Sequence, residues 1–283
     1  MSVFPIVVEL EFEILQDIYS LPPFYGARFS ALMRHACHRA NINIEDFILG
    51  LRPWRQGLRP LLKGDLLGLR LLIAPNQKKS WEELCKVLHF EICGSGSFYL
   101  GKTLRLSHAY CSFTGKTISS LNSVNVFFPE ALLFSSFSEN PTLFPNCMLP
   151  RLYALSRASQ CILHFDAPLR MTWKMQGGKK LFASKDSFDS DPEILEKLVK
   201  KIRYIDYVSN FNESWNIVEN TLEWHDMRYS EDRKIALGGL VGSLTIQGKV
   251  SLSLAERLIL GEYTGIGKNA RFGLGYYSLS FSE

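Results

Sequence analysis

Gly94-Ser95-Gly96, followed after four residues by Gly101, and Gly265-Ile266-Gly267, followed after five residues by Gly273-Leu274-Gly275, decide how this chain is read. Each cluster follows a helix-period segment and leads into a strand-period one. Before the first, residues 80–91 read as a helix, and residues 97–114 read as a strand broken at Gly101. Before the second, Ser253 to Leu260 read as a short helix, and Phe272 to Phe281 read as the terminal strand. A repeated ending points to a repeated unit.

Working outward, residues 8–14 alternate Val8, Leu10, Phe12 and Ile14 inward with Glu9, Glu11 and Glu13 outward, the period of a half-buried strand. Leu21-Pro22-Pro23 breaks it. Ala27 to Ala40 then reads as a helix, with Phe29, Leu32, Met33, Ala36, Cys37 and Ala40 on one face. Residues 66–74 read as a buried strand. Residues 119–156, rich in Ser, Asn, Phe and Pro without a clean period, read as connection and irregular strand. The pattern then restarts. Cys161 to Met175 is strand-like with a kink at Pro168, and Pro192 to Tyr207 is helical through Ile194, Leu195, Leu198, Val199, Ile202 and Ile205. Ile235 to Val250 is a glycine-rich strand. The fold class implied is α+β, two tandem ferredoxin-like (RRM-like) βαββαβ domains at 1–118 and 157–283 joined by 119–156, with a C-terminal glycine-rich loop.

Composition agrees. At about 150 residues per domain, 283 residues make two domains, and 46% hydrophobic with 21% charged residues is globular. No apolar run reaches the ~20 residues of a membrane helix. Glu9, Glu11 and Glu13 sit where a signal peptide needs an uncharged stretch. The expectation is a cytoplasmic protein without a membrane partner. Cys37, Cys85, Cys93, Cys111, Cys147 and Cys161 form no C-x-x-C pair, and so read as reduced and mostly buried. Net charge is only +4, but residues 28–70 hold eight basic residues (Arg28, Arg34, Arg39, Arg52, Arg55, Arg59, Lys63 and Arg70) against three acids. Such a block can attract phosphates.

The C-terminal loop, Gly265-Ile266-Gly267-Lys268-Asn269-Ala270-Arg271-Phe272-Gly273-Leu274-Gly275-Tyr276, is the sharpest motif. Closely spaced glycines let backbone N–H groups approach an anion, and Lys268 and Arg271 add charge. It is not a nucleotide P-loop. Glu262 stands where the first glycine would be, Asn269 follows the lysine, and too little chain remains for a following helix and parallel strand. The competing reading is glycines serving a bulged strand in a tight corner.

Asp226-Met227-Arg228-Tyr229-Ser230, Leu237-Gly238-Gly239-Leu240-Val241-Gly242, Gly248, Leu260-Gly261-Glu262 and the loop through Tyr276 together resemble the C-terminal half of the CRISPR precursor-crRNA processing endoribonucleases, Cas proteins of the RAMP superfamily. Weaker similarity extends through Asp166-Ala167-Pro168-Leu169-Arg170, Lys63-Gly64-Asp65 and Tyr25-Gly26-Ala27-Arg28. The resemblance implies two ferredoxin-like domains, binding of CRISPR repeat RNA, and metal-independent cutting once in each repeat, with 2′,3′-cyclic phosphate and 5′-hydroxyl ends. It implies precursor crRNA as substrate, other Cas proteins of an effector complex as partners, and no cofactor; a homodimer is left open. A non-catalytic RAMP-type crRNA-binding subunit is the competing reading.

Metal-independent cutting uses the 2′-hydroxyl of the RNA, and histidine suits the proton transfers because its ordinary pKa lies near 6.5. In relatives resembling this chain the key histidine is commonly on or near the first helix. Here that helix offers His35 and His38 among Arg28, Arg34 and Arg39, with Tyr25 just before. At 100° per residue, Arg28, His35 and Arg39 share one flank, which makes His35 the first candidate and His38 the second. His225 is third, and His164 reads as structural. The catalytic expectation is therefore His35, His38, Tyr25 and Arg39. The RNA-binding expectation is Arg28, Arg34, a basic loop of Arg52, Trp54, Arg55 and Arg59, and the loop residues Gly265, Gly267, Lys268, Arg271, Phe272, Gly273 and Gly275. No metal-ligand cluster stands out.

Overall fold

In the first strand the alternation of Val8, Leu10, Phe12 and Ile14 becomes a buried row under the first helix, and the rest of that half is laid out around it. The computed structural model describes residues 6–18, 26–54, 61–74, 78–93, 103–111, 117–118, 148–174, 180–191, 193–202, 215–226, 228–230, 233–236, 238–270 and 273–282. The chain divides into two compact units, Val3–Pro145 and Asn146–Glu283.

In the first unit β1 (Ile6–Ile14) is followed by α1 (Gly26–Arg39), a short α2 (Ile44–Phe47), β2 (Ile48–Trp54), β3 (Leu66–Ile73), α3 (Lys78–Cys93), β4 (Leu104–Cys111) and β5 (Thr117–Ile118). The sheet order is β2-β3-β1-β4-β5, antiparallel throughout. With the short β5 set aside, that is the order of a βαββαβ ferredoxin-like unit. The Phe12 ring stacks on Phe29 of α1 at 5.9 Å. Phe29, Leu32, Met33, Ala36 and Cys37 form the buried stripe of α1, and Trp81, Leu84, Cys85 and Leu88 form that of α3. Each of the Leu, Met and Phe side chains contributes about 2 kcal/mol through burial. Asn41 ends the first helix in the left-handed region, φ 56°, and the Ile42 N–H returns to the Cys37 carbonyl at 2.8 Å.

Two expectations for this unit are corrected. Glu9 lies on the face opposite the helices, as the alternation requires, but it is only 1% exposed there. Its Oε1 accepts from Nε of Arg70, its cross-strand partner on β3, at 2.5 Å. Alternation sets the face of a residue but not what covers that face. Arg52-Pro53-Trp54 is the end of β2 and not a loop. Proline removes a ladder donor, and it is tolerated here because β2 is the outermost strand.

The second unit opens with α4 (Leu149–Arg157), then β6 (Gln160–Leu169), β7 (Thr172–Lys174), β8 (Lys180–Phe182), α5 (Lys185–Ser190), α6 (Ile194–Val199), β9 (Trp215–Asn220), β10 (Glu223–His225), β11 (Arg228–Ser230), β12 (Arg233–Ala236), β13 (Gly239–Gly248), α7 (Leu252–Thr264) and β14 (Tyr277–Ser282). Its main sheet runs β10-β13-β6-β14, with β9 also pairing β13. The second position of the ferredoxin-like order is thus shared by β9 and β10. Cys161, Leu163 and Phe165 point from β6 into the core, and Phe165 meets Tyr277 of β14 at 5.3 Å. Ser251 caps α7, accepting from the Leu254 N–H at 3.3 Å.

The segment read as connection and irregular strand ends in a helix, α4. Pro150 stands in its first turn, where the missing N–H costs nothing. Of the helix expected over 192–207, the described part is α6 with Ile202 bridging Ile266 beyond it, and residues 203–207, with Ile205, lie outside the described residues. The glycine-rich strand is divided into β12 and β13.

Candidate active site

His35 and Arg39 stand four residues apart on α1, so their side chains lie on one flank, about 40° apart. Both reach the same carboxylate. His35 Nε2 lies 3.3 Å from Oε1 of Glu91 on α3, and Arg39 Nη1 donates to the same oxygen. The Glu91 side chain is wholly buried, whereas those of His35 and Arg39 are 37% and 45% exposed. Glu91 Oε2 has no hydrogen-bond partner among the described residues. The Arg39 guanidinium also lies 5.0 Å from the ring centroid of Phe90, a half-exposed neighbour on α3.

A carboxylate paired with a guanidinium accepts and does not donate. In the neutral imidazole the nitrogen facing Glu91 is then the one that carries the proton, which makes Nδ1 the acceptor. A histidine held in this way is oriented and pre-set as a proton acceptor, and the carboxylate stabilises the imidazolium that forms. Arg39 has five donors, so binding Glu91 through Nη1 does not exhaust it. The arrangement can accept a proton and stabilise an anion at one exposed edge.

Of the other expected residues in this region, Arg34 and His38 are exposed on α1. Tyr25, Arg55 and Arg59 lie outside the described residues. The backbones of Arg28 and Trp54 belong to α1 and β2, but their side chains are not among those described. Arg52 is half-buried on β2, opposite Arg70 of β3. Lys63 is exposed in a turn, its N–H bonded to Asp17 Oδ1 at 2.8 Å.

The residue missed was Glu91. Its signal was present: Trp81, Leu84, Cys85 and Leu88 set a phase in which position 91 should be apolar, and a glutamate stands there. A carboxylate on the apolar stripe of a helix must find a partner inside the fold.

The glycine loop is built differently from the expected anion cradle. The N–H groups of Gly265, Ile266, Lys268, Gly273, Leu274 and Gly275 donate to the carbonyls of Gly261, Gly275, Arg170, Ala270, Asn269 and Pro168. Those of Lys268 and Gly275 dock the loop on the end of β6 and the residue after it, and the other four close bonds within the loop and α7. The glycines serve that packing: at Gly267 (φ 86°) a Cβ would stand 2.4 Å from the Arg170 carbonyl oxygen, and at Gly275 (φ 69°) 1.9 Å from that of Ile266. What the loop offers solvent is Lys268, which is exposed; Arg271 and Phe272 lie outside the described residues.

Glu262 of α7, in the motif Leu260-Gly261-Glu262, is occupied within the fold. Arg151 of α4 donates to both of its oxygens, at 2.6 and 3.1 Å, and to the Leu279 carbonyl at 3.0 Å. The Leu279 N–H donates to Glu262 Oε1 at 3.0 Å. His225 is exposed on β10, and His164, exposed on β6, pairs through Nδ1 with Ser243 Oγ at 2.8 Å. Cys37, Cys85 and Cys161 are buried free thiols. Burial pushes Cys37 and Cys161 up to about 12, and Cys85 well above the ordinary value. Among the described residues no helix is long and apolar enough to cross a membrane.

The sequence matches the family model of the CRISPR-associated endoribonuclease Cas6 over residues 19–277. No curated protein matches it in sequence. Among solved structures the chain is similar to a Cas6 product complex, with a TM-score of 0.57 and 16% identity over 98% of this chain and 100% of that one. It is similar to a partial Cas6-RT-Cas1–Cas2 complex, with a TM-score of 0.62 and 16% identity over 99% of this chain and 47% of that one. It is also similar to a RAMP protein binding different RNA substrates, with a TM-score of 0.51 and 11% identity over 97% of this chain and 99% of that one. At these identities the structural likeness is one of fold.

Proposed function

The chain belongs to the family of the CRISPR-associated endoribonuclease Cas6, enzymes of CRISPR repeat-RNA processing, and from that membership we propose that it cuts precursor crRNA once in each repeat without a metal ion. The 2′-hydroxyl oxygen attacks the adjacent phosphorus, the bond to the 5′-oxygen breaks, and the ends are a 2′,3′-cyclic phosphate and a 5′-hydroxyl. His35 Nδ1 takes the 2′-hydroxyl proton, and the imidazolium so formed can return it to the departing 5′-oxygen. Glu91 orients the ring and balances its charge. Arg39 is assigned to the negative charge that grows on the phosphorane, and Arg28 and Tyr25 are candidates for the same task. His38 is the second candidate for the proton transfers.

The observation that carries this reading is the convergence of His35 and Arg39 on the buried Glu91 carboxylate. Repeat RNA as ligand and other Cas proteins as partners are supported by a RAMP protein of this fold that binds RNA substrates, and by a Cas6 found in complex with Cas1–Cas2. Lys268 and Arg271 are assigned to the RNA backbone, with the four loop glycines shaping the turn that carries Lys268.

The test is cleavage of the cognate repeat RNA by purified protein in EDTA. Cutting is expected to proceed, and a 2′-deoxy substitution on the 5′ side of the scissile phosphate is expected to block it. An absolute need for Mg²⁺, or cutting of the deoxy substrate, would refute the mechanism.

A further inference from the structure

The second unit exposes two large rings side by side. Phe182, the last residue of β8, is 37% exposed, and Trp224, the middle residue of β10, is 43% exposed. Their ring centroids are 6.1 Å apart, with planes inclined by 40°. Two cations attend them. The Arg170 guanidinium lies 4.4 Å from the Phe182 centroid, and the Lys268 ammonium lies 5.9 Å from it.

The tryptophan is fixed in place. Its Nε1 donates to Asp226 Oδ1 at 2.8 Å, and the backbone at Gly238 presses so close that a Cβ there would meet Trp224 Cζ2 at 3.1 Å. The Phe182 backbone is held by the β7–β8 pairing, opposite Thr172, and its ring lies between Trp224 and the Arg170 guanidinium. A flat ring held rigid in solvent has lost its conformational freedom before anything binds, so little ordering cost remains for a flat ligand. Positive charge over one ring of such a platform suits a ligand made of flat rings on an anionic chain. A purely apolar protein partner would gain nothing from two cations at the ring faces.

We propose that Phe182, Trp224, Arg170 and Lys268 form a stacking site for an unpaired base of single-stranded RNA, with the base lying on Trp224 beside Phe182 and the two cations meeting the flanking phosphates. The proposal rests on the RNA-processing reading and adds a sequence-tolerant contact separate from the His35 chemistry. It also gives the inward-turned glycine loop a role, since the fold of that loop holds Lys268 beside the platform.

The test uses the full chain and a fluorescein-labelled single-stranded oligouridylate, titrated by anisotropy, alongside binding and cleavage of the cognate repeat. Trp224→Ala is expected to weaken oligouridylate binding about tenfold, with Phe182→Ala somewhat less. Trp224→Tyr should hold affinity within about twofold, since a ring is retained. Lys268→Ala should lower the slope of log affinity against log salt by about 0.7. Should Trp224→Ala melt early, quenching of intrinsic fluorescence by oligouridylate, present in the wild type and reduced in Trp224→Phe, gives the same readout.

Equal affinity of the wild type, Trp224→Ala and Phe182→Ala, with repeat cleavage intact, would overturn the stacking site and leave the endoribonuclease reading standing. A wild type that neither binds nor cuts repeat RNA would end both. Loss of self-association in Trp224→Ala at unchanged RNA affinity would overturn the proposal in favour of a protein interface.

Discussion

Each half of the molecule carries a glutamate two residues before the end of its last helix, opening a shared pattern Glu-x-x-Gly-x-Gly: Glu91 to Gly96 at the end of α3, and Glu262 to Gly267 at the end of α7. Glu262 is fully engaged. A two-pronged arginine and a backbone N–H take up both oxygens. Glu91, at the corresponding place, gives one oxygen to two side chains of α1, an arginine and a histidine, both opening to solvent. A buried carboxylate must be compensated in either case. What differs is the compensating group. An arginine and an amide have no chemistry to offer and make a joint, whereas an exposed imidazole can exchange a proton and makes a site. If His35 acts as proposed, matching positions serve architecture in one half and catalysis in the other.

The largest expected effect breaks that comparison directly. His35→Ala should lower the single-turnover cleavage rate by about 10²-fold or more, with affinity for an uncleavable 2′-deoxy repeat nearly intact. An unchanged rate would transfer the role to His38 and reduce the first carboxylate to a joint like the second. The matching substitution in the other half is Arg151→Ala. It strands Glu262 with only the Leu279 N–H, and should cost about 2 kcal/mol of stability in urea unfolding, reduced from the value for a fully buried pair because Arg151 is part-exposed. A loss below about 0.5 kcal/mol would show that water replaces the guanidinium, and the joint would not be one.

Much of this was legible in the chain. Local periodicity carried β1, α1 and α3, since alternation and the i, i+3, i+4 stripe are set by backbone geometry alone. It also put His35 and Arg39 on one flank. Elements that depend on their place in the fold were not legible. Pro53 argues against a strand unless the strand is at an edge, and Pro150 argues against a helix unless it stands in the first turn. The partners of Glu91 were hidden for a related reason: they lie more than fifty residues away, on another helix. The glycine loop misled in a different way. The sequence shows that N–H groups can be approached there, but not from which side, and the fold approaches them from within.

Glu91→Gln sharpens the comparison with a smaller effect. The amide keeps the size and can still bond to His35 and Arg39, but it no longer balances charge or dictates which imidazole nitrogen holds the proton. Cleavage should slow about tenfold at saturating enzyme, while binding of the uncleavable repeat stays the same. Glu91→Asp should recover part of the rate, because it restores the charge. A variant that lost affinity and rate together would point to a displaced helix, and the residue would then belong with Glu262.

The smallest effect asks whether the two halves respond alike where no special group is involved. Each holds a thiol driven up to about 12 by burial, Cys37 on the inner face of α1 in one and Cys161 on β6 in the other. For a group whose value is raised in the folded chain, the stabilising contribution is complete below the unfolded value, near 9, and is lost as pH rises from there toward the folded value. Between those limits the unfolded thiol ionises and the folded one does not, so the unfolded state binds fewer protons and stability must fall with pH. Urea midpoints should therefore decline above about pH 9, and Cys37→Ala and Cys161→Ala should each flatten the decline, whatever each costs in packing. An equal slope in all three proteins would mean that water reaches these thiols, and with it the cores on which both carboxylates depend for their burial.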